Sequence, residues 1–189
     1  MILDQENLII LAFIVVSLFF VKGPSISYYW FIINGIWIHI YLDGLVGLCQ
    51  MNKWLFTQYS QLDARYPEKE LTVIVVTGIE LIFMGPMCIW IAIRQRAKAN
   101  PLLTALLITF VSAVQIMGTV MFIVNAWLRD FVDVCHGSCF SFTQSNIFYF
   151  WFVFVIVNQI WIVVPLQQII LQYRELQIIY GNKKIQKLK

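Results

Sequence analysis

The chain has 189 residues, 60% of them hydrophobic, 16% aromatic and only 12% charged, with a net charge of +3. A water-soluble domain of this size is nearer half apolar and about a quarter charged. The composition therefore excludes a soluble globular protein and reads as an all-α integral membrane protein forming one bundle.

Five segments are apolar and long enough to cross a hydrocarbon core of about 30 Å at about 1.5 Å per residue: Leu8–Val21, Ser27–Leu48, Thr72–Ile93, Leu102–Ala126 and Asn146–Ile170. The first is the shortest. Asp4 and Glu6 precede it in place of a basic stretch, and no A-x-A-like site follows, so it is expected to span rather than to be a cleaved leader. The organisation is then an N-terminal segment over 1–26, a four-helix domain over 27–171 and a basic tail over 172–189.

Lysine and arginine sort by side. Lys53, Arg65, Lys69 and Arg129 fall on one face; Lys22, Arg94, Arg96, Lys98, Arg174, Lys183, Lys184, Lys187 and Lys189 fall on the other. The richer face is cytosolic, which puts the C-terminus in the cytosol and the N-terminus in the lumen or outside. The positive charge is thus a topology signal and gives no support to nucleic-acid binding. The tail after Tyr173 suits anionic lipid, while Trp30 and Trp37 suit either a lipid-belt anchor or a homodimer face.

Of the four cysteines, Cys49 and Cys88 sit at or within spans as packing residues. Cys135 and Cys139, in VCHGSC, fall on the non-cytosolic side, where a disulfide is permitted and free thiols are the alternative. With His136 they offer only three zinc ligands and no partner pair, so no metal is expected.

Polar residues within the spans carry the chemistry. Ser17 in the first span can bond its own helix and marks scaffold. The second span holds Asn34, His39 and Asp43, the third Thr77 and Glu80, the fourth Thr109, Ser112, Gln115 and Thr119, and the fifth Asn158, Gln159 and Trp161. Counted from the luminal ends at about 1.5 Å per residue, His39, Asp43, Glu80, Gln115, Thr119 and Asn158 lie roughly 7–18 Å deep. His39 and Asp43 share a face at i,i+4, Thr77 and Glu80 at i,i+3, and Asn158 and Trp161 likewise. Lipid offers such groups no partner, so they are expected to converge on a polar intramembrane pocket. Interhelical hydrogen bonding accounts for Gln115, Thr119 and Gln159 as readily as function does. Two carboxyls and an imidazole are costlier, at about 2.5 kcal/mol or more each on insertion, and point to an acid/base device. Trp161 supplies a π face for a cation. Such a pocket suits protonating an olefin, holding the carbocation and removing another proton, or binding a cationic amphiphile.

The same residues carry a family resemblance. WIHIYLDG, DARYP, MGPMCIW, VQIMG and YFWFVFVIVNQIWIVVP, spread over Tyr28 to Leu171, resemble the emopamil-binding protein group of sterol Δ8–Δ7 isomerases within the EXPERA-domain proteins. The resemblance implies five spans in the endoplasmic reticulum and a pocket for bilayer sterols and cationic amphiphiles; no nucleotide, flavin or haem motif appears in the chain, so no cofactor is expected. It matches His39, Asn158 and Trp161 to pocket residues and puts Asp43 at a glutamate position. In the third span Thr77 stands where the family has its acid and Glu80 where it has threonine; Thr119 stands where some relatives carry aspartate. The implied activity is a double-bond shift in a sterol or related terpenoid, with His39, Asp43 and Glu80 catalytic and Asn158, Trp161, Thr77, Thr119 and Gln115 around the substrate. The exchange leaves two alternatives: a diverged terpenoid isomerase, epoxide-opening enzyme or cyclase, or a binder without catalysis.

Overall fold

A backbone without water must satisfy its hydrogen bonds within each segment. The computed structural model describes residues 5–186 and is helical, with no strand among those residues. Helix α1 is Gln5–Leu18 and α2 is Ile26–Leu48. The connection that follows contains α3, Lys53–Leu62, and a single turn, Arg65–Glu68. Helices α4, Leu71–Arg96, and α5, Pro101–Leu128, come next. The last, α6, runs through Asn146–Ile156, Val157–Gln159 and Ile160–Gln186. Lys187 and Lys189 of the basic tail lie outside the described residues.

Helices α2, α4, α5 and α6 up to Tyr180 are long and apolar enough to cross a membrane. The first expected span is a shorter element. Its 14 residues rise about 21 Å, against a core of about 30 Å. It is tied to α2 nonetheless. Ser17 Oγ donates to Phe13 O at 2.8 Å and accepts the Trp37 indole N–H at 2.9 Å, while the Phe13 ring lies 4.9 Å from that of Tyr41.

Helix α2 is the axis of the bundle: 56% of its apolar window is buried, against 11% for α6. Tyr28, Phe31 and Ile36 of α2 form the main core with Cys88 and Ile91 of α4 and Ile108 and Val111 of α5. Glycines permit the α2–α4 approach. A Cβ at Gly35 would stand 3.0 Å from the backbone oxygen of Gly85, and one at Gly85 would stand 2.5 Å from Ile40 Cγ1. Three helices are locally widened: Ile33–Leu48, Glu80–Met84 and Asn146–Ile156 form π-turns that close i to i+5. Such turns are rare and recur at functional sites, and two of the three contain residues singled out in the sequence.

The connection after α2 locks against the loop before α6. Ala64 N donates to Asp133 O at 2.8 Å, His136 Nε2 contacts Gln61 O at 2.8 Å, and the Tyr149 hydroxyl donates to Gln58 at 2.6 Å. Buried Arg65 and Asp63 form a two-pronged ion pair, and Arg65 lies 4.9 Å over the Phe122 ring of α5. Cys135 and Cys139 are joined by a disulfide in this loop. Asn146 organises it, accepting from His136 N and donating to His136 O, Ser138 O and Ser141 Oγ.

Candidate active site

The close α2–α4 crossing brings one turn of each helix face to face. His39 Nδ1 lies 3.4 Å from Asp43 Oδ2 on its own helix and 3.9 Å from Glu80 Oε1 on α4. The imidazole is buried, with 4% of its side chain exposed, whereas Asp43 and Glu80 retain 14% and 25%. Opposed to the expense of burying charge, this gradient leaves the two carboxyls open on one side with the imidazole behind them. Ligand atoms of all three residues fall within 4.8 Å of one another, a separation over which a proton can be passed with small side-chain movements.

A second set of partners surrounds this trio. Gln115 Nε2 of α5 lies 3.3 Å from His39 Nε2 and 3.4 Å from Asn34 Oδ1. The Trp161 indole of α6 donates to the same Asn34 Oδ1 at 2.7 Å, and its ring centroid lies 6.1 Å from that of Trp30. Helices α2, α4, α5 and α6 therefore all reach one polar network, built by His39, Asp43, Glu80, Gln115, Asn34 and Trp161. Thr77, Thr119 and Asn158 are placed differently. Each bonds its own helix, to Val73 O, Gln115 O and Phe154 O at 2.6, 3.0 and 3.0 Å. Thr77 lines a cavity of about 200 Å³ with Gly47, Tyr66, Lys69 and Val73.

The sequence reading did not single out Tyr59. Its hydroxyl donates to Asp43 Oδ1 at 3.1 Å, and its ring packs edge-on against Tyr66 at 5.2 Å. Burial, and after it the nearby Asp43 charge, hold the Tyr59 phenol well above its ordinary range, so it remains a donor. A tyrosine in the polar run FTQYSQ of a connection carries no sequence signal; the contact exists only because α3 folds back onto α2. Asn34 was visible as a polar residue in a span, but its partners on α5 and α6 were not.

Residues 49–170 match the family described as EXPERA (EXPanded EBP superfamily). The chain belongs to this family. The matched stretch contains Tyr59, Glu80, Gln115 and Trp161, while Asn34, His39 and Asp43 precede it. Among similar proteins is the 3-beta-hydroxysteroid-Delta(8),Delta(7)-isomerase of Rattus norvegicus, 30% identical over 129 residues that cover 68% of this chain and 52% of the rat protein. The proteins of that name from Cavia porcellus and Mus musculus are each 25% identical, covering 68% and 76% of this chain and 52% and 61% of their own. The chain thus spans little more than half the length of these curated relatives.

Proposed function

We propose that the protein is a membrane-embedded isomerase that shifts a carbon–carbon double bond in a sterol or related terpenoid, as its relatives' names describe for them. The observation that carries this reading is the buried imidazole set between two partly open carboxyls at 3.4 and 3.9 Å. Glu80, the more open of the two, donates a proton to one olefinic carbon. The neighbouring carbon becomes a carbocation, for which the anionic Asp43 and the Trp161 and Trp30 π faces are suitable partners. Asp43, oriented by the Tyr59 hydroxyl and backed by His39, accepts the proton lost from a different carbon. One proton enters and one leaves, so the step balances without a redox partner or cofactor.

Expression in a cell lacking Δ8–Δ7 isomerase tests the reading: accumulated Δ8 sterols should become Δ7 sterols. Persistence of Δ8 sterols beside well-expressed protein would reject it in favour of another terpenoid olefin, epoxide or polyene substrate. Tight binding of cationic amphiphiles with no turnover of any of these would leave a binder. Turnover is expected to survive excess EDTA; loss on chelation would reassign His39, Asp43 and Glu80 to a metal.

We read α1 as a fifth crossing, supported by its Trp37 and Tyr41 contacts. The N-terminus is then luminal, the C-terminus cytosolic and the membrane that of the endoplasmic reticulum. Domain limits of 1–26, 27–171 and 172–189 follow from this reading. The disulfide in the loop before α6 accords with an oxidising luminal side. The widened, partly open turn around Asp43 and Glu80 is the proposed pocket, with cationic amphiphiles as carbocation mimics; the substrate roles expected of Thr77, Thr119 and Asn158 are left to mutation, since each bonds its own helix. Trp30 and Trp37, expected from the sequence as lipid-belt or dimer-face residues, are half-buried against the core instead, so a homodimer rests on no exposed tryptophan face and is left to crosslinking.

A further inference from the structure

The two neutral forms of His39 present different groups to the carboxyls, a proton on Nδ1 in one and a lone pair in the other. An imidazole carries a single proton, on Nδ1 or on Nε2, and the partner of the other nitrogen decides which. The partner of Nε2 is Gln115, and a carboxamide can present either an N–H or an oxygen. Its orientation is fixed by a chain of groups that ends in one without a choice. The Trp161 indole N–H is a donor only, so the Asn34 atom it meets at 2.7 Å is the oxygen. The other end of that amide agrees, since Asn34 Nδ2 donates to Trp30 O at 2.9 Å. Asn34 Oδ1, an acceptor, also faces Gln115 at 3.4 Å, so Gln115 must turn its nitrogen toward it. The same nitrogen lies 3.3 Å from His39 Nε2. Inverting the Gln115 amide would set two oxygens against each other at the Asn34 contact. Gln115 Oε1 is left buried without a bond among the described residues, so no competing donor pulls the amide round.

We propose that Asn34 and Gln115 are positioning residues that hold His39 as its Nδ1–H tautomer. Its proton is then aimed at Asp43 and Glu80, and the orientation is set from α6 by the Trp161 indole. Nδ1 makes no hydrogen bond among the described residues, and the oxygens of Asp43 and Glu80 stand 3.4 and 3.9 Å from it. The inference deepens the isomerase reading, on which its catalytic consequence rests. The tautomer can be measured without any substrate.

The chain contains two histidines, so a His136→Gln variant labelled with ¹⁵N-histidine gives the ring nitrogens of His39 alone. Spectra of the full chain in bicelles are recorded at a pH of about 8.5, above the ordinary histidine range near about 6.5. The expected result is a protonated Nδ1 and a bare Nε2. Gln115→Met and Asn34→Leu should each move the proton to Nε2 or leave a mixture. In the isomerase assay Gln115→Met should lower kcat about 10-fold or more while KM changes less than about 3-fold. A proton on Nε2 in the parent protein, or both nitrogens protonated, overturns the proposal. So does a Gln115→Met spectrum unchanged from the parent. The parent spectrum decides even if a variant does not fold. A protein with the expected tautomer but no turnover would sink the isomerase reading and leave the assignment standing; normal turnover with an Nε2–H histidine would do the reverse.

Discussion

At the scale of single residues the cluster divides into groups that would exchange protons and groups that hold them in place. Glu80→Gln keeps the size of the side chain and removes the proton, and it is expected to lower turnover by at least about 100-fold, as loss of a general acid does. Sterol conversion by the purified variant measures this, and retained turnover would remove Glu80 from the mechanism. Tyr59→Phe keeps the edge-on packing with Tyr66 and deletes one bond to a carboxylate. Such bonds contribute about 1.5–3 kcal/mol, which is about 10–100-fold in rate if the bond matters only at the reacting geometry. The same change in an Asp43→Asn background should cost little more, since the two residues then act through one contact. His39, Asp43 and Glu80 are legible in the sequence because an ionisable side chain inside an apolar run is costly enough to stand out. Tyr59 is not, because tyrosine in a connection is ordinary and only the folding of α3 against α2 gives it a carboxylate to meet.

At the scale of elements the α2–α4 crossing sets the separation of His39 from Glu80. A methyl group at Gly35 would press on the Gly85 carbonyl at 3.0 Å and on Ile89 at 2.8 Å. Backbone cannot swing aside as a side-chain tip can, so Gly35→Ala is expected to force the helices apart at a cost of about 1–3 kcal/mol. A lower midpoint of thermal unfolding in detergent, together with reduced turnover, is the expected signature; unchanged values for both would mean that the crossing yields without moving the site. The π-turns at Ile33–Leu48 and Glu80–Met84 act on the same geometry by altering which side chains line up along each helix. Sequence periodicity assumes α-helical turns. It groups Thr77 with Glu80 on one face; in the structure the Thr77 hydroxyl is taken up by Val73 O of its own helix. No residue pattern in ELIFMGP announces a widened turn, because it arises from packing against the neighbouring helix.

At the scale of the whole molecule the two connections form a cap that keeps α3, and with it Tyr59, against the bundle. Its centre is the Asp63–Arg65 pair, with exposures of 0% and 1%. Removing one partner leaves the other charged and buried, so Asp63→Asn is expected to destabilise the protein by about 3–5 kcal/mol, while Asp63→Leu with Arg65→Met costs far less. Thermal unfolding of both in detergent checks the prediction, and equal losses would show that the pair acts by shape alone. For the proposed topology, an epitope at the N-terminus should survive protease added to sealed vesicles while one at the C-terminus is digested; the opposite pattern would invert the bundle.

The sequence by itself determined that the protein lives in lipid and is helical, and that an imidazole and two carboxyls lie within its apolar stretches. These follow from composition and local spacing, because a hydrocarbon solvent penalises every unpaired polar group wherever the chain later goes. On sequence alone five such stretches count as long enough to cross, where the structure has four among the described residues. Only the tertiary structure decided that Glu80 stands 3.9 Å from His39, that Tyr59 bonds Asp43, and that an indole on α6 is linked to an imidazole on α2 through two amides. Each of those contacts joins residues on different helices, and their distances are set by how closely glycine lets backbones approach and how connections fold back, neither of which is written in any one segment.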